Sequence, residues 1–94
     1  MATIGKESLA ESLMGQEVVI DVIAPYVYIG RLTAQDDRYV VLENVDVHDL
    51  RDSNTNRELY VLESRHHGVR ANRRRTLVAR GQIVSLSALQ DVDS

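Results

Sequence analysis

Residues 17–32 read EVVIDVIAPYVYIGRL, and this stretch decides the fold class. Apolar residues occupy alternate positions in its first half, at Val18, Ile20 and Val22, which is the period of a strand with one well-buried face. The only proline of the chain follows and marks a turn or an edge position. Gly30, inside the second apolar run, indicates a sharp bend or a close approach of two backbones. The stretch therefore predicts two strands joined by a turn.

The segments on either side extend this pattern. Upstream, residues 4–14 predict a short helix, because Leu9 and Leu13 lie one helical turn apart. Downstream, a third strand begins at Tyr39 and extends toward Leu50, and residues 58–62 (ELYVL) resume extended patterning. Two last strands, 76–80 and 83–86, lie around Gly81.

This order predicts one domain over residues 1–94, of an all-β or small α+β class. We expect an N-terminal helix at about 4–14, a strongly bent five-stranded antiparallel barrel at about 16–88 and a polar tail at 89–94. Periodicity alone does not separate an SH3-like barrel from an OB-fold.

Composition limits the class of protein further. Of the 94 residues, 44% are hydrophobic and none is cysteine, so disulfides, thiolate zinc sites and cysteine nucleophiles are excluded. The chain has no apolar run that could span a bilayer and no signal-peptide core near its start, so we expect a soluble cytoplasmic protein without membrane partners. Oligomerisation is a plausible source of extra buried area for so small a chain.

Basic residues are concentrated in residues 65–75, RHHGVRANRRR, which hold five of the eleven in the chain. The formal net charge is −3, and the other 83 residues carry 6 − 14 = −8. One interpretation is a phosphate-contacting basic loop, made of Arg65, Arg70, Arg73, Arg74 and Arg75. The other is a solvated run of charges that balances the negative charges of Glu58, Glu63 or the acidic residues of a neighbouring copy.

Four landmarks in order resemble the Sm/LSm family, which includes the bacterial host factor Hfq. The first is an opening helix followed by Gly15 and an alternating strand. The others are the spacing from Val22 to Gly30, the set Gly30, Leu32 and Asp36, and the run 80–84, RGQIV. The resemblance covers about residues 4–88 and implies the Sm fold, an SH3-like barrel. Val40 stands where many family members have a uracil-contacting Asn, so the ring-forming features carry over better than the base-reading ones.

The resemblance implies a homo-oligomeric ring, because family members pair the strand before the Arg-Gly turn with the strand after it in the next subunit. Closing two exposed strand edges in this way gives a ring, here expected to have roughly five to seven subunits. The interface residues that it implies are Leu77, Val78, Ala79, Ile83, Val84 and Leu86. A monomeric barrel with a modest apolar patch is the alternative.

The family also binds single-stranded RNA around the pore, which implies an RNA site at Asp36, Arg38, Tyr39, Arg80 and Gly81. Arg38 and Tyr39 offer planes on which a base could stack, and Arg80 either donates to RNA or fixes its turn by a salt bridge. Asp36 is expected to order its own turn. The predicted function is a ring that binds U- or A/U-rich RNA as a chaperone or scaffold in RNA metabolism, as part of a ribonucleoprotein.

Two other functions stay open. The ring could be a scaffold for protein partners without RNA, or the protein could be a small nuclease that uses His66 or His67. Adjacent histidines on a strand point to opposite faces and do not readily share a metal, and a weak surface ion site at His48 is less expected than exposed polar residues. No catalytic residues, cofactor or metal are predicted, so we do not expect an enzyme.

Overall fold

The computed structural model describes residues 8–52 and 56–93 of the chain. Its strands are β1 (Glu17–Val22), β2 (Tyr26–Gln35), β3 (Tyr39–Asp49), β4 (Arg73–Ala79) and β5 (Ile83–Ala88). Its helices are α1 (Ser8–Glu11) and α2 (Arg57–His67). Short 3₁₀ turns lie at Leu50–Asp52, Arg80–Gln82 and Leu89–Asp91. Within the two described ranges, neither helix has the length and apolar character needed to cross a membrane.

The five strands form one sheet in the order β4-β3-β2-β1-β5, and each neighbouring pair is antiparallel. The two outermost strands, β4 and β5, do not pair with each other, so each leaves one row of backbone hydrogen-bonding groups free. The predicted closed SH3-like barrel is therefore wrong: the sheet is antiparallel and bent, but it stays open. Closure depends on whether the two edge strands, β4 and β5, pair with each other, and strand periodicity does not contain that information.

The sheet bends where β2 passes β3. The register shifts between Ile29 and Arg31, and Asn44 on β3 takes a positive φ of 52°. A Cβ on Gly30 would lie 3.2 Å from the carbonyl oxygen of Glu43 and 3.2 Å from the Cα of Val45. The predicted close backbone approach at Gly30 is confirmed, because a side chain at this position would make tighter contacts than most Cβ atoms do.

One face of the sheet encloses an aliphatic cluster, here called the strand core. Because β1 and β4 are not neighbours in the sheet and yet both contribute to it, the sheet curves around this cluster. Leu13 and Met14, just after α1, pack against it from the side. Its buried members are Val18, Ile20, Val22, Leu32, Val40, Leu42, Val45 and Val78.

The opposite face of the sheet is covered by α2. Val19 alternates with the strand-core residues of β1 and so points the other way, where it meets Val61 of α2 in a second cluster. This helix core consists of Val19, Val27, Ile29, Val61 and Leu89. The first turn of α2 is attached to β1 by an ion pair, with Arg57 Nε 3.3 Å from Asp21 Oδ1. The chain therefore has apolar clusters on both faces of one sheet.

The placement of the main helix corrects the sequence prediction. The predicted N-terminal helix at about 4–14 is reduced, among described residues, to the four residues of α1, and residues 4–7 lie outside the described ranges. The long helix instead follows β3 and occupies residues 58–62, which were predicted to be extended. An N-terminal helix leading into a barrel is therefore not the architecture of this chain.

The ends of α2 explain why it forms. Asn56 caps the N-terminus, since its side chain accepts a hydrogen bond of 2.8 Å from the backbone N–H of Leu59. Basic residues fill the last turn, where they complement the negative end of the helix dipole. Gly68 ends the helix with a φ of 91°, and its N–H donates to the carbonyl of Ser64. These local signals stabilise a helix whose apolar residues are also good strand formers.

Candidate nucleic-acid interface

The turn between β2 and β3 is organised by Asp36. Its Oδ1 accepts hydrogen bonds from the backbone N–H groups of Arg38 at 2.8 Å and Tyr39 at 2.7 Å. These two bonds, first that from Tyr39, lower the pKa of the Asp36 carboxyl below its usual value of 3.8, and the charges of Arg38 and Arg80 act in the same direction. Asp36 thus orders its own turn by accepting these two hydrogen bonds, as the sequence predicted.

The turn between β4 and β5 lies against the Asp36 turn. The backbone N–H of Arg80 donates to the carbonyl of Arg38 at 2.8 Å. The guanidinium of Arg80 donates from Nη1 to Oε1 of Gln35 at 2.7 Å, which holds the side chain near the end of β2. The structure therefore brings the Arg38 and Arg80 positions together although 42 residues separate them in sequence (80 − 38 = 42). The salt bridge considered for Arg80 is not formed among the described residues, where a neutral amide is its partner.

The surface at these two turns is open to solvent. Arg38 and Arg80 are exposed, and Tyr39 is 41% exposed. A Cβ built on Gly81 meets no atom within 4 Å, so the backbone there is accessible to a ligand. We call the surface formed by Arg38, Tyr39, Arg80 and Gly81 the turn surface. It combines two cationic groups with one aromatic plane.

Val40 does not belong to the turn surface. Its side chain is 1% exposed and lies in the strand core, opposite Val78 of β4. Because β-strand side chains alternate, burial of Val40 is what turns the preceding Tyr39 outward. The position that the family resemblance aligns with a uracil-contacting Asn is therefore a core position here.

The basic stretch does not form one loop. Arg65 lies in the last turn of α2, Arg70 lies in the connection after it, and residues 73–75 begin β4. Because side chains alternate along a strand, Arg74 points to the face opposite that of Arg73 and Arg75. The prediction that all five arginines share one basic loop is therefore wrong, while their contact with phosphate stays a prediction.

The free edges of β4 and β5 carry the predicted interface residues. Leu77 on β4 is 51% exposed and Val84 on β5 is 68% exposed, so each edge strand presents a large apolar side chain to solvent. Ala79, Ile83 and Leu86 are partly buried, and Val78 points into the strand core. An exposed apolar edge of this kind is a site for pairing with another strand.

A groove beside the free edge of β5 was not predicted from the sequence. It has a volume of about 510 Å³, and three carboxylate residues, Glu58, Asp91 and Asp93, contribute to its walls. The only sequence signal was the pair of acidic residues in the segment interpreted as a polar tail. The groove is lined by Leu13, Glu58, Leu86, Ser87, Ala88, Asp91, Val92 and Asp93.

The three histidines make ring contacts and are not grouped with other metal-binding side chains among the described residues. His48 stacks on Tyr60, whose hydroxyl donates to the buried carboxylate of Asp46. His66 and His67 are exposed, with ring centroids 6.3 Å apart. Over residues 8–52 and 56–93, no three His, Cys, Asp or Glu side chains come close enough to hold a metal ion.

Comparison with known proteins finds similar structures but no similar sequences. The sequence matches no protein-family model, and no curated protein is similar to it. The structure is similar to the Sm protein of Pyrococcus abyssii in complex with a uridine heptamer, at 14% identity and a TM-score of 0.55, over 83% of this chain and 89% of that one. It is also similar to a chain in the structure of the NatC complex bound to CoA, at 11% identity and a TM-score of 0.56, over 94% of this chain and 88% of that one.

At these identities, the two similarities show the fold alone. The chain therefore has an Sm-like fold, with an open sheet and a helix inserted between β3 and β4.

Proposed function

We propose that this chain forms a homo-oligomeric ring that binds single-stranded RNA at the turn surface. The observation that carries the proposal is the 2.8 Å hydrogen bond from the Arg80 N–H to the Arg38 carbonyl, which joins two turns into one exposed cationic and aromatic surface. Single-stranded RNA presents base planes and phosphates together, and these are the groups that such a surface binds.

Each side chain of the turn surface has a distinct role in the proposal. Tyr39 stacks on a base through its exposed ring, and Arg38 stacks through its guanidinium plane or donates to a phosphate. Arg80 donates to a base carbonyl or a phosphate with the nitrogens that Gln35 leaves free. Asp36 does not touch RNA but holds Arg38 and Tyr39 in place through their backbone N–H groups.

The free edges of the sheet support the ring. A head-to-tail contact between β4 of one copy and β5 of the next covers Leu77 and Val84 and satisfies both rows of free backbone groups. Such contacts close into a ring when each copy is rotated by the same angle about one axis relative to the copy before it. The ring then repeats the turn surface around that axis. We propose roughly five to seven copies, the range that the family resemblance implies.

The preferred RNA is proposed to be U- or A/U-rich. Support comes from the fold neighbour of Pyrococcus abyssii, whose structure contains a uridine heptamer. Because the buried side chain of Val40 is not accessible to a base, selectivity for uridine rests on stacking and is expected to be modest. The proposed setting is cytoplasmic RNA metabolism, in a chaperone or scaffold role without catalysis.

Binding of fluorescently labelled oligouridine, followed by anisotropy, tests this function. We expect Tyr39→Ala and Arg80→Ala each to weaken binding by about tenfold or more, which is the order of one lost base stack or charged contact. The matched control is Arg51→Ala, because Arg51 is an exposed arginine beyond the other end of β3. Equal losses in all three variants, or no binding by the wild type, contradict the proposal. Intact RNA after incubation checks the absence of nuclease activity.

A second function, a protein scaffold without RNA, is favoured by one observation. The fold neighbour that covers 94% of this chain is part of a multi-chain assembly, the NatC complex. Under this alternative the oligomer forms, and no oligonucleotide binds at moderate salt. Native mass spectrometry with and without an RNA pool separates the two, because it reports subunit number and bound nucleotide together.

A further inference from the structure

The start of β4 carries three consecutive arginines on a free strand edge. Arg73, Arg74 and Arg75 are all exposed, and β4 pairs only with β3. Neither of the two ion pairs formed among residues 8–52 and 56–93 involves them. The chain thus places three cationic groups, without carboxylate partners of their own in the described part, beside a row of unpaired backbone groups.

The opposite edge of the sheet presents the complementary chemistry. The groove along β5 combines apolar walls, from Leu13, Leu86 and Val92, with carboxylates at Glu58, Asp91 and Asp93. Asp91 ends the 3₁₀ turn that follows β5, and Asp93 lies two residues further on. One end of this edge is therefore acidic, whereas the other end, at Ile83 and Val84, is apolar.

The direction of pairing decides whether these two edges match. All strand pairs within the chain are antiparallel, and antiparallel pairing is the more stable form per residue. An antiparallel contact places the start of β4 beside the end of β5 in the next copy, so the arginines meet the acidic groove. It also places Leu77 nearer the apolar start of β5. A parallel contact brings the arginines to Ile83 and Val84 and leaves both sets of charges unmatched.

We propose that the arginine run at the start of β4 in one copy binds the acidic groove of β5 in the next copy and locks the ring in the antiparallel register. Arg73 and Arg75 lie on one face of β4 and Arg74 on the other, and the groove has residues from both sides of the sheet, Leu13 at the strand core and Glu58 on α2. The partner is a second copy of this chain, and the inference rests on the proposed ring. It assigns these arginines to the contact between subunits, where the mixed groove provides carboxylates for bidentate contacts and apolar walls for the aliphatic stems.

Salt and charge reversal test the proposal by sedimentation velocity on RNA-free protein. From about 0.1 M to about 1 M salt, the screening length falls from about 10 Å to about 3 Å, so the assembly is expected to weaken. The variant Arg73→Glu, Arg74→Glu, Arg75→Glu is expected to raise the dissociation constant between copies by about tenfold or more. Reversal of Asp91 and Asp93 to Arg is expected to have a similar effect.

The decisive variant combines both reversals in one chain. In this combined variant the reversed groups of neighbouring copies again carry opposite charges, so it is expected to assemble. A mixture of the arginine-reversed protein and the aspartate-reversed protein is expected to assemble as well, with the two kinds of copy alternating. Reversal of Arg65 and Arg70 to Glu is the control for added negative charge at other positions, since neither residue lies on β4, and assembly is expected to be unchanged. Circular dichroism verifies that every variant is folded.

The outcomes separate the two proposals. A wild type that stays monomeric at all salt concentrations overturns the ring and this contact together. A wild-type oligomer that survives the arginine reversal overturns this contact alone. Loss of RNA affinity in that variant with assembly intact also overturns it, because the arginines then act on phosphate rather than on the neighbouring copy.

Discussion

The ring of Tyr60 on α2 stacks on the ring of His48 on β3, with centroids 3.7 Å apart and planes inclined by 10°. The Tyr60 hydroxyl donates to the carboxylate of Asp46, which is 4% exposed. Burial and this hydrogen bond raise the pKa of the Tyr60 hydroxyl above its ordinary value. A single side chain thus anchors the helix to the sheet by one polar and one planar contact.

Removal of this hydroxyl is expected to destabilise the fold. Tyr60→Phe keeps the stacking but leaves the buried carboxylate of Asp46 without this donor, which should lower the free energy of unfolding by about 1–3 kcal/mol. Urea denaturation measures the change. Tyr39→Phe, at an exposed tyrosine, is the control and should change the free energy by less than about 0.5 kcal/mol. A similar result for both tyrosines contradicts the anchoring role.

The bend at Gly30 predicts a strong difference between two glycines. Gly30→Ala forces a Cβ to within 3.2 Å of backbone atoms of Glu43 and Val45, so we expect a loss of about 1–3 kcal/mol in the free energy of unfolding. Gly81→Ala meets nothing within 4 Å and serves as the control. Thermal denaturation of the two variants should give a clearly lower Tm only for Gly30→Ala.

Packing of α2 on the sheet is tested by truncation of its buried face. Val61 is 5% exposed in the helix core, and Val61→Ala should cost about 1–3 kcal/mol because it removes methyl groups and leaves a cavity. Leu59→Ala is the control, since Leu59 is 47% exposed on the same helix. If the two variants lose stability equally in urea, α2 does not pack on the sheet through Val61.

The turn at Asp36 predicts a pH dependence of stability. Because the folded-state pKa of Asp36 lies below its usual 3.8, its contribution is fully present above that value and is lost as the pH falls through the lower folded-state pKa. Carboxyl carbon NMR should find a depressed pKa at Asp36. Asp36→Asn should reduce the loss of stability in this acidic window, whereas Asp37→Asn, whose carboxylate makes neither turn bond, should not.

The strands were predictable because their signal is local. The alternation at Val18, Ile20 and Val22 predicts β1, and the run before Gly30 predicts β2. The helix α2 was not predicted, since Leu59, Tyr60 and Val61 suit a strand equally well in isolation. Its caps at Asn56 and Gly68 were the available signal, and the packing of Val61 on Val19 completes the choice.

The candidate site was predictable only through the family resemblance. The resemblance to the Sm/LSm family predicted that Arg38 and Arg80 lie on one surface. The 2.8 Å hydrogen bond between their backbones agrees with that prediction. The acidic groove of Glu58, Asp91 and Asp93 joins residues from a helix and from the segment after β5. Nothing in the spacing of these residues indicates that they lie together.

By itself, the sequence determined the extended segments other than residues 58–62, the close backbone approach at Gly30 and the uneven distribution of charge. These properties depend on side-chain chemistry over a few neighbouring positions, which a pattern can express. Only the tertiary structure decided that the sheet stays open, that α2 covers its second face and that the arginines divide between a helix end and a strand edge. Those outcomes depend on contacts between residues far apart in the chain, where packing rather than local preference has the larger free energy.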